Sequence, residues 1–212
     1  LRRIAGAIGF EPESLVLSRQ THTPNVLLVT EADRGEGYIV PLKHTDVDGM
    51  ITNVPGLTLA TFYADCVPLF FVDPVHRAVG LSHSGWKGTV NRIGAVTLAR
   101  MKEAFGTRPG DVRAAIGPSI CQDCYEVSED VALEFKQEFS PQADERLIYR
   151  KKNGRYQLNL WKANEIVLRE AGIRPRHLEI NNICTCCNPE LMFSHSASHG
   201  LRGNLGAFLE LI

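Results

Sequence analysis

The spacing of apolar and polar positions changes several times along the chain, and each change predicts an element. Residues 2–8 repeat their apolar side chains at helical spacing, whereas 15–17 and 26–30 are short leucine- and valine-rich runs that read as strands. The glycine-containing, charged stretch 34–43 predicts an exposed loop. Four closely spaced runs rich in Val, Ile, Leu, Phe and Thr follow at 49–52, 57–63, 67–72 and 78–83, and they predict four strands of one sheet. Over 86–105, Val90, Ile93, Val96, Leu98 and Met101 recur at about helical spacing before Gly106 and Pro109, which predicts one long helix with a stop. A strand at 112–116, a helix over 128–139 opened by Ser128, Glu129 and Asp130, an amphipathic helix over 161–171 and β segments at 178–183 and 207–211 complete the pattern. Strands cluster instead of alternating with helices. The expected fold class is therefore α+β, with mixed β-sheets packed between helices in a single domain, and not a doubly wound parallel sheet.

Composition narrows the function classes. With 212 residues, 44% of them hydrophobic and 22% charged, the chain is ordinary globular material with enough apolar content for a large core. A formal charge of -1 supplies no field that would draw it to nucleic acid or anionic lipid, and the apolar runs are far shorter than the roughly 18 residues of a membrane span. Small molecules are the expected partners, with no nucleic acid and no membrane. Six cysteines clumped at 66, at 121 and 124, and at 184, 186 and 187 do not read as a secreted disulfide framework, so a reducing cytoplasm is expected. The first residue is Leu1, within an amphipathic pattern, which reads as a start inside a longer protein.

Three side chains stand out as chemistry: His22 in RQTH, Cys66 in YADC and His83 in LSHSGWKG, each near the end of a strand candidate. Two imidazoles and a thiolate make a three-ligand set suited to zinc, leaving the fourth tetrahedral position open for catalysis. The other reading is of unrelated core and surface residues. Asp65, beside Cys66, is placed to orient a ligand imidazole. The turn through Gly85, Lys87 and Gly88 has the make-up of an anion cradle, in which glycines permit close backbone approach and a helix opens with free N–H groups, or else of a plain strand-to-helix turn with a solvated lysine. Arg202, beside Gly203, is either a bidentate phosphate donor or a surface arginine. Cys121-x-x-Cys124 is half of a structural zinc knot, but the following Cys184-x-Cys186-Cys187 does not match the usual second half, so buried free thiols are expected there. Asp46-x-Asp48-Gly49 lacks the downstream glutamate of a calcium loop and reads as a turn before a strand.

Six ordered blocks, RQTH, DVDGMIT, ATFYADCVPLFFVDP, AVGLSHSGWKGTVNRI, IGPSICQDCYEV and the tail with PELMFS and LRGN, resemble the laccase-domain, or polyphenol oxidase-like, proteins. The resemblance covers nearly the whole chain and implies a purine nucleoside phosphorylase that acts on adenosine, inosine and methylthioadenosine and also deaminates adenosine. It implies His22, Cys66 and His83 as metal ligands, zinc as the metal with copper as the alternative, purine nucleoside and phosphate as partners, and mixed sheets layered with helices. It also implies an N-terminal segment ahead of Leu1. On this reading Lys87, Gly85, Gly88 and Arg202 serve the phosphate, and Cys66, His83 and Asp65 the chemistry, with Asp65 a proton shuttle. Two other functions carry a distinct chemistry. One is the copper oxidase of the family's older name, against which stand the want of an evident axial methionine among Met50, Met101 and Met192 and only seven histidines. The other is a metal-free cysteine hydrolase acting on cell-wall peptides, with Cys66 as nucleophile and His83 as base, which leaves His22 unemployed.

Overall fold

A computed structural model describes residues 1–212. In chain order the elements are α1 (Arg2–Ile8), β1 (Leu15–Val16), β2 (Val26–Leu28), β3 (Gly49–Thr52), β4 (Thr58–Tyr63), β5 (Val67–Asp73), β6 (Ala78–Ser84), α2 (Trp86–Val90) and α3 (Ile93–Phe105). These are followed by β7 (Arg113–Ile116), β8 (Glu126–Val127), α4 (Glu129–Glu138), β9 (Ile148–Arg150), β10 (Tyr156–Leu158), α5 (Leu160–Glu170), β11 (Leu178–Ile180) and β12 (Leu205–Glu210). The fold is a mixed α+β single domain, as the clustering of strand patterns predicts.

A six-stranded mixed sheet, in the order β11-β7-β5-β6-β3-β2, runs through the middle. Its central strands are apolar along nearly their whole length because both faces are covered. Alternation along β5 sends Leu69 and Phe71 into the larger core with α3, α4 and α5, while Phe70 and Val72 face the smaller core. That smaller core, containing Leu59, Tyr63, Met50, Leu81 and Ala207, joins the six-stranded sheet to a second sheet of order β1-β4-β12. A tight connection closes the β5–β6 hairpin, in which the Asp73 carboxylate accepts from the Val75 and His76 backbone N–H groups at 2.9 and 3.1 Å.

Three expectations change. The four consecutive strand patterns do not share one sheet: β3, β5 and β6 do, but β4 pairs with β1 and β12. Asp65 adopts a left-handed backbone, φ 83°, between β4 and β5, and this corner carries the chain from one sheet to the other. Nor is 86–105 one helix. It breaks after α2 at Arg92, φ 56°, whose guanidinium pairs with Glu138 and with Glu170 at 2.7 Å. The third sheet, β8-β10-β9, was not legible because its strands are two or three residues long. Within the loop 34–43, expected to be exposed, Glu36 is fully buried and accepts from the Lys43 and His44 backbone N–H groups.

Candidate functional site

The sheet-crossing corner at Asp65 puts Cys66 immediately before β5. Register then sets Pro68 opposite His83 and Val67 opposite Ser84, so the thiol lies beside the C-terminal end of β6. The ligand atoms of His22, Cys66 and His83 all lie within 4.8 Å of one another, with His22 exposed, Cys66 half-buried and His83 buried. His22 is not at a strand end, as expected, but midway along the loop from β1 to β2, in a left-handed conformation with φ 67°. The His22 and His83 rings meet edge to face at 4.9 Å.

Asp48 organises this convergence, and sequence reading had taken it for a turn residue. Fully buried just ahead of β3, it places one carboxylate oxygen 2.7 Å from His83 Nδ1 and accepts on the other from the Thr21 and Thr23 backbone N–H groups at 2.9 and 3.0 Å. It thus orients one imidazole directly and holds both residues flanking the other. Burial would push its carboxyl up, but the bonds from His83 and from the Thr23 and Thr21 amides hold it below the usual carboxylate range. Asp65 does not do this work. Its oxygens accept from Thr185 Oγ1 and from the Ser196 backbone N–H, both at 2.7 Å, and it touches neither ligand imidazole. Burial opposes its ionisation, yet donors from Ser194, Thr185 and Ser196 keep it ionised.

The same geometry polarises the thiol. Burial alone would raise Cys66, but hydrogen bonds with His22 and then His83 bring it down to about 7. Burial would likewise depress His83, yet Asp48 and then Cys66 raise it to about 9. A glycine is required beside these groups. A Cβ on Gly85 would stand 2.9 Å from His22 Cδ2 and 3.0 Å from Cys66 Sγ, so this position must stay bare for the three donors to meet. Gly88 also packs closely, with a Cβ there lying 3.3 Å from the His83 carbonyl oxygen.

Cys66 and His22 open on a cleft of about 320 Å³, within the size range of small-molecule sites. Asp65, Tyr125, His195 and Arg202 also line it. Burial and then the charges of Cys66 and Asp65 push the Tyr125 phenol up, so it remains a donor. Lys87, expected at an anion cradle, does not line this cleft. Trp86 packs against the larger core, and one further residue along the helix turns Lys87 to solvent, 5.5 Å from the Trp86 ring. Sequence reading missed Tyr125 and His195 as cleft residues, since neither lies in a recognisable ligand spacing. The C-terminal thiols are not scattered free cysteines either: Cys184 and Cys187 meet Cys121 and Cys124 in one cluster.

The donor set fits a single open metal site. Asp48 occupies His83 Nδ1 and leaves Nε2 free, and two imidazoles with one thiolate match the ligands of catalytic zinc. Met101 is buried in the larger core, Met50 lies in the smaller core against which Cys66 packs, and Met192 lines neighbouring clefts.

Comparison with known proteins gives concordant results. The family model described as multi-copper polyphenol oxidoreductase laccase matches residues 1–212. The purine nucleoside phosphorylase YlmD of Bacillus subtilis (strain 168) is 38% identical over 97% of this chain and 74% of that protein. A protein named adenosine deaminase RL5, from an unknown prokaryotic organism, is 32% identical over 90% of this chain and 72% of its own length. Among solved structures, YlmD from Geobacillus stearothermophilus superposes with a TM-score of 0.93 at 34% identity, covering 99% of this chain and 78% of that one.

Proposed function

Because the chain belongs to the multi-copper polyphenol oxidoreductase laccase family, some of whose members carry the name purine nucleoside phosphorylase, we propose that it is a zinc-dependent purine nucleoside phosphorylase. The observation that carries this reading is the meeting of His22, Cys66 and His83 where His22 and Cys66 open on a cleft that Arg202 and Tyr125 also line. In phosphorolysis an oxygen of phosphate forms a bond to the anomeric carbon of ribose. The glycosidic C–N bond breaks, its electron pair leaves with the purine, and the products are free base and ribose 1-phosphate.

His22, Cys66 and His83 would hold the zinc, which would supply a Lewis acid when bound. Arg202 offers the anion a planar pair of donors once its present contact with Asn204 is exchanged. The Tyr125 hydroxyl and the His195 imidazole donate to the departing base and hold its orientation. Asp65 works by position, fastening Thr185 and the Ser196 backbone to the wall of the cleft. Gly85 and Gly88 keep the β6–α2 turn close against the ligands, and Lys87 adds positive charge outside the cleft. Deamination of adenosine at the same centre is supported by the relative that carries that name, and would add water at the amino-bearing carbon of the purine with loss of ammonia. Six free thiols suit the cytoplasm as the setting, and no helix is long and apolar enough to cross a membrane.

A second reading has one specific observation behind it. Without metal, Cys66, His83 and Asp48 line up as thiolate, imidazole and orienting carboxylate, the set a cysteine hydrolase uses. Metal content separates the two. Protein purified without added copper is expected to release base from adenosine, inosine and methylthioadenosine only with phosphate. Cys66→Ala is expected to lose one equivalent of zinc together with that activity. Full base release by wild-type protein stripped of metal would overturn the zinc-dependent reading, and a metal-free protein that releases no base would favour the hydrolase.

A further inference from the structure

Cys121, Cys124, Cys184 and Cys187 lie far apart in sequence and belong to no part of the cleft lining, yet their Sγ atoms all fall within 4.8 Å of one another. Cys184 and Cys187 are themselves a C-x-x-C pair, hidden in the sequence by Cys186, whose side chain packs against the larger core. We infer that these four thiols form a closed tetrathiolate site for a structural zinc-type cation, separate from the His22, Cys66 and His83 set.

Local structure brings each pair onto one side. The 3-10 turn Gln122–Cys124 folds the first arm, and the second is tied to it by pairing of Ser119 with Cys184 and by the Thr185 N–H donating to the Ser119 carbonyl at 3.2 Å. Asn188 Nδ2 donates to the Cys184 carbonyl at 2.7 Å and fixes the turn that returns Cys187. The Cys121 backbone N–H donates to Cys184 Sγ at 3.3 Å, an outer contact of the sort that orients and stabilises a metal-bound thiolate. Cys124 Sγ and Cys187 Sγ lie 3.4 Å apart, unbonded. Zinc–sulfur bonds of about 2.3 Å arranged tetrahedrally put sulfurs about 3.8 Å from one another, so the cluster closes around an ion with shifts of at most about 1 Å. Four thiolates fill every tetrahedral position, which makes the site structural and not catalytic, and binding releases the thiol protons to solvent.

The two arms are also the walls of the cleft. Ile120 and Tyr125, which flank the first arm, line it, and Thr185, inside the second, donates to Asp65 at 2.7 Å. The Ile120 N–H donates to the Asp65 carbonyl at 3.0 Å, so a cation joining the arms holds both of them against Asp65, the residue before Cys66.

The test is cobalt(II) titration of the metal-free, reduced full chain carrying Cys66→Ala, so that failure of the phosphorylase reading leaves it untouched. One equivalent of cobalt giving the intense red d–d bands and thiolate charge-transfer bands of a tetrahedral tetrathiolate is expected, displaced by one equivalent of zinc. Cys186→Ser in the same background should keep the spectrum, and Cys124→Ser with Cys187→Ser should abolish it. Absence of the tetrathiolate spectrum in the Cys66→Ala protein overturns the inference. So does a Cys124–Cys187 disulfide, seen by intact mass, in protein purified anaerobically.

Discussion

Asp48 is the side chain on which the site depends most, and its two oxygens do different jobs: one faces His83 Nδ1, the other the Thr21 and Thr23 amides. An amide in its place has one accepting end only. Asp48→Asn must therefore either aim its NH2 group at the two backbone N–H donors or reverse the tautomer of His83. Either way metal affinity is expected to fall about 10- to 100-fold, measured by competition with a chromophoric chelator, and unchanged affinity would refute the positioning role. The thiol offers a second reading of the same geometry. Cys66 is brought down to about 7, so in the metal-free protein its alkylation should rise through pH near 7. Below that pH the thiol is protonated and slow to react, and well above it the thiolate saturates. Subtracting the rate of Cys66→Ala isolates this thiol from the other five, and a midpoint near an ordinary cysteine value would contradict the pairing with His22 and His83.

Strands β5 and β6 and helix α5 hold these side chains in place through a buried polar junction. Ser84, at the end of β6, donates to Asn164 of α5 at 2.9 Å, and Asn164 Nδ2 donates to Thr89 of α2 at 3.1 Å. All three residues are fully buried. Asn164→Leu removes the acceptor for Ser84 and the donor to Thr89, leaving those two buried hydroxyls only each other and the Gly85 carbonyl, and is expected to destabilise the protein by about 1–3 kcal/mol in urea denaturation. No loss of stability would mean that the junction is slack and does not fix the β6–α2 turn. These elements were legible in advance for physical reasons. β3, β5 and β6 are apolar because they are buried on both faces, and α4 and α5 carry an apolar stripe against the larger core. The departure of β4 to another sheet was not legible, because it turns on the left-handed conformation of Asp65, a residue type that adopts many turns.

Across the molecule, the convergence of His22, Cys66 and His83 could be anticipated from the sequence because each stands in a distinctive block, whereas the residues around them could not. Asp48 becomes a partner of His83 only when β3 pairs with β6, and Tyr125 and His195 reach the cleft only through the arms that Cys121, Cys124, Cys184 and Cys187 bring together. The sequence leaves both Lys87 and Arg202 open as anion ligands; the fold brings Arg202 to the cleft and turns Lys87 away from it. On the proposed function, this cleft transfers a ribosyl group from a purine to phosphate. The decisive measurement follows adenosine and inorganic phosphate by 31P NMR in the presence of the protein. A growing ribose 1-phosphate signal matched mole for mole by free adenine is expected, and none with Cys66→Ala. Adenine released with no sugar phosphate, or sugar phosphate formed equally by Cys66→Ala, would contradict it.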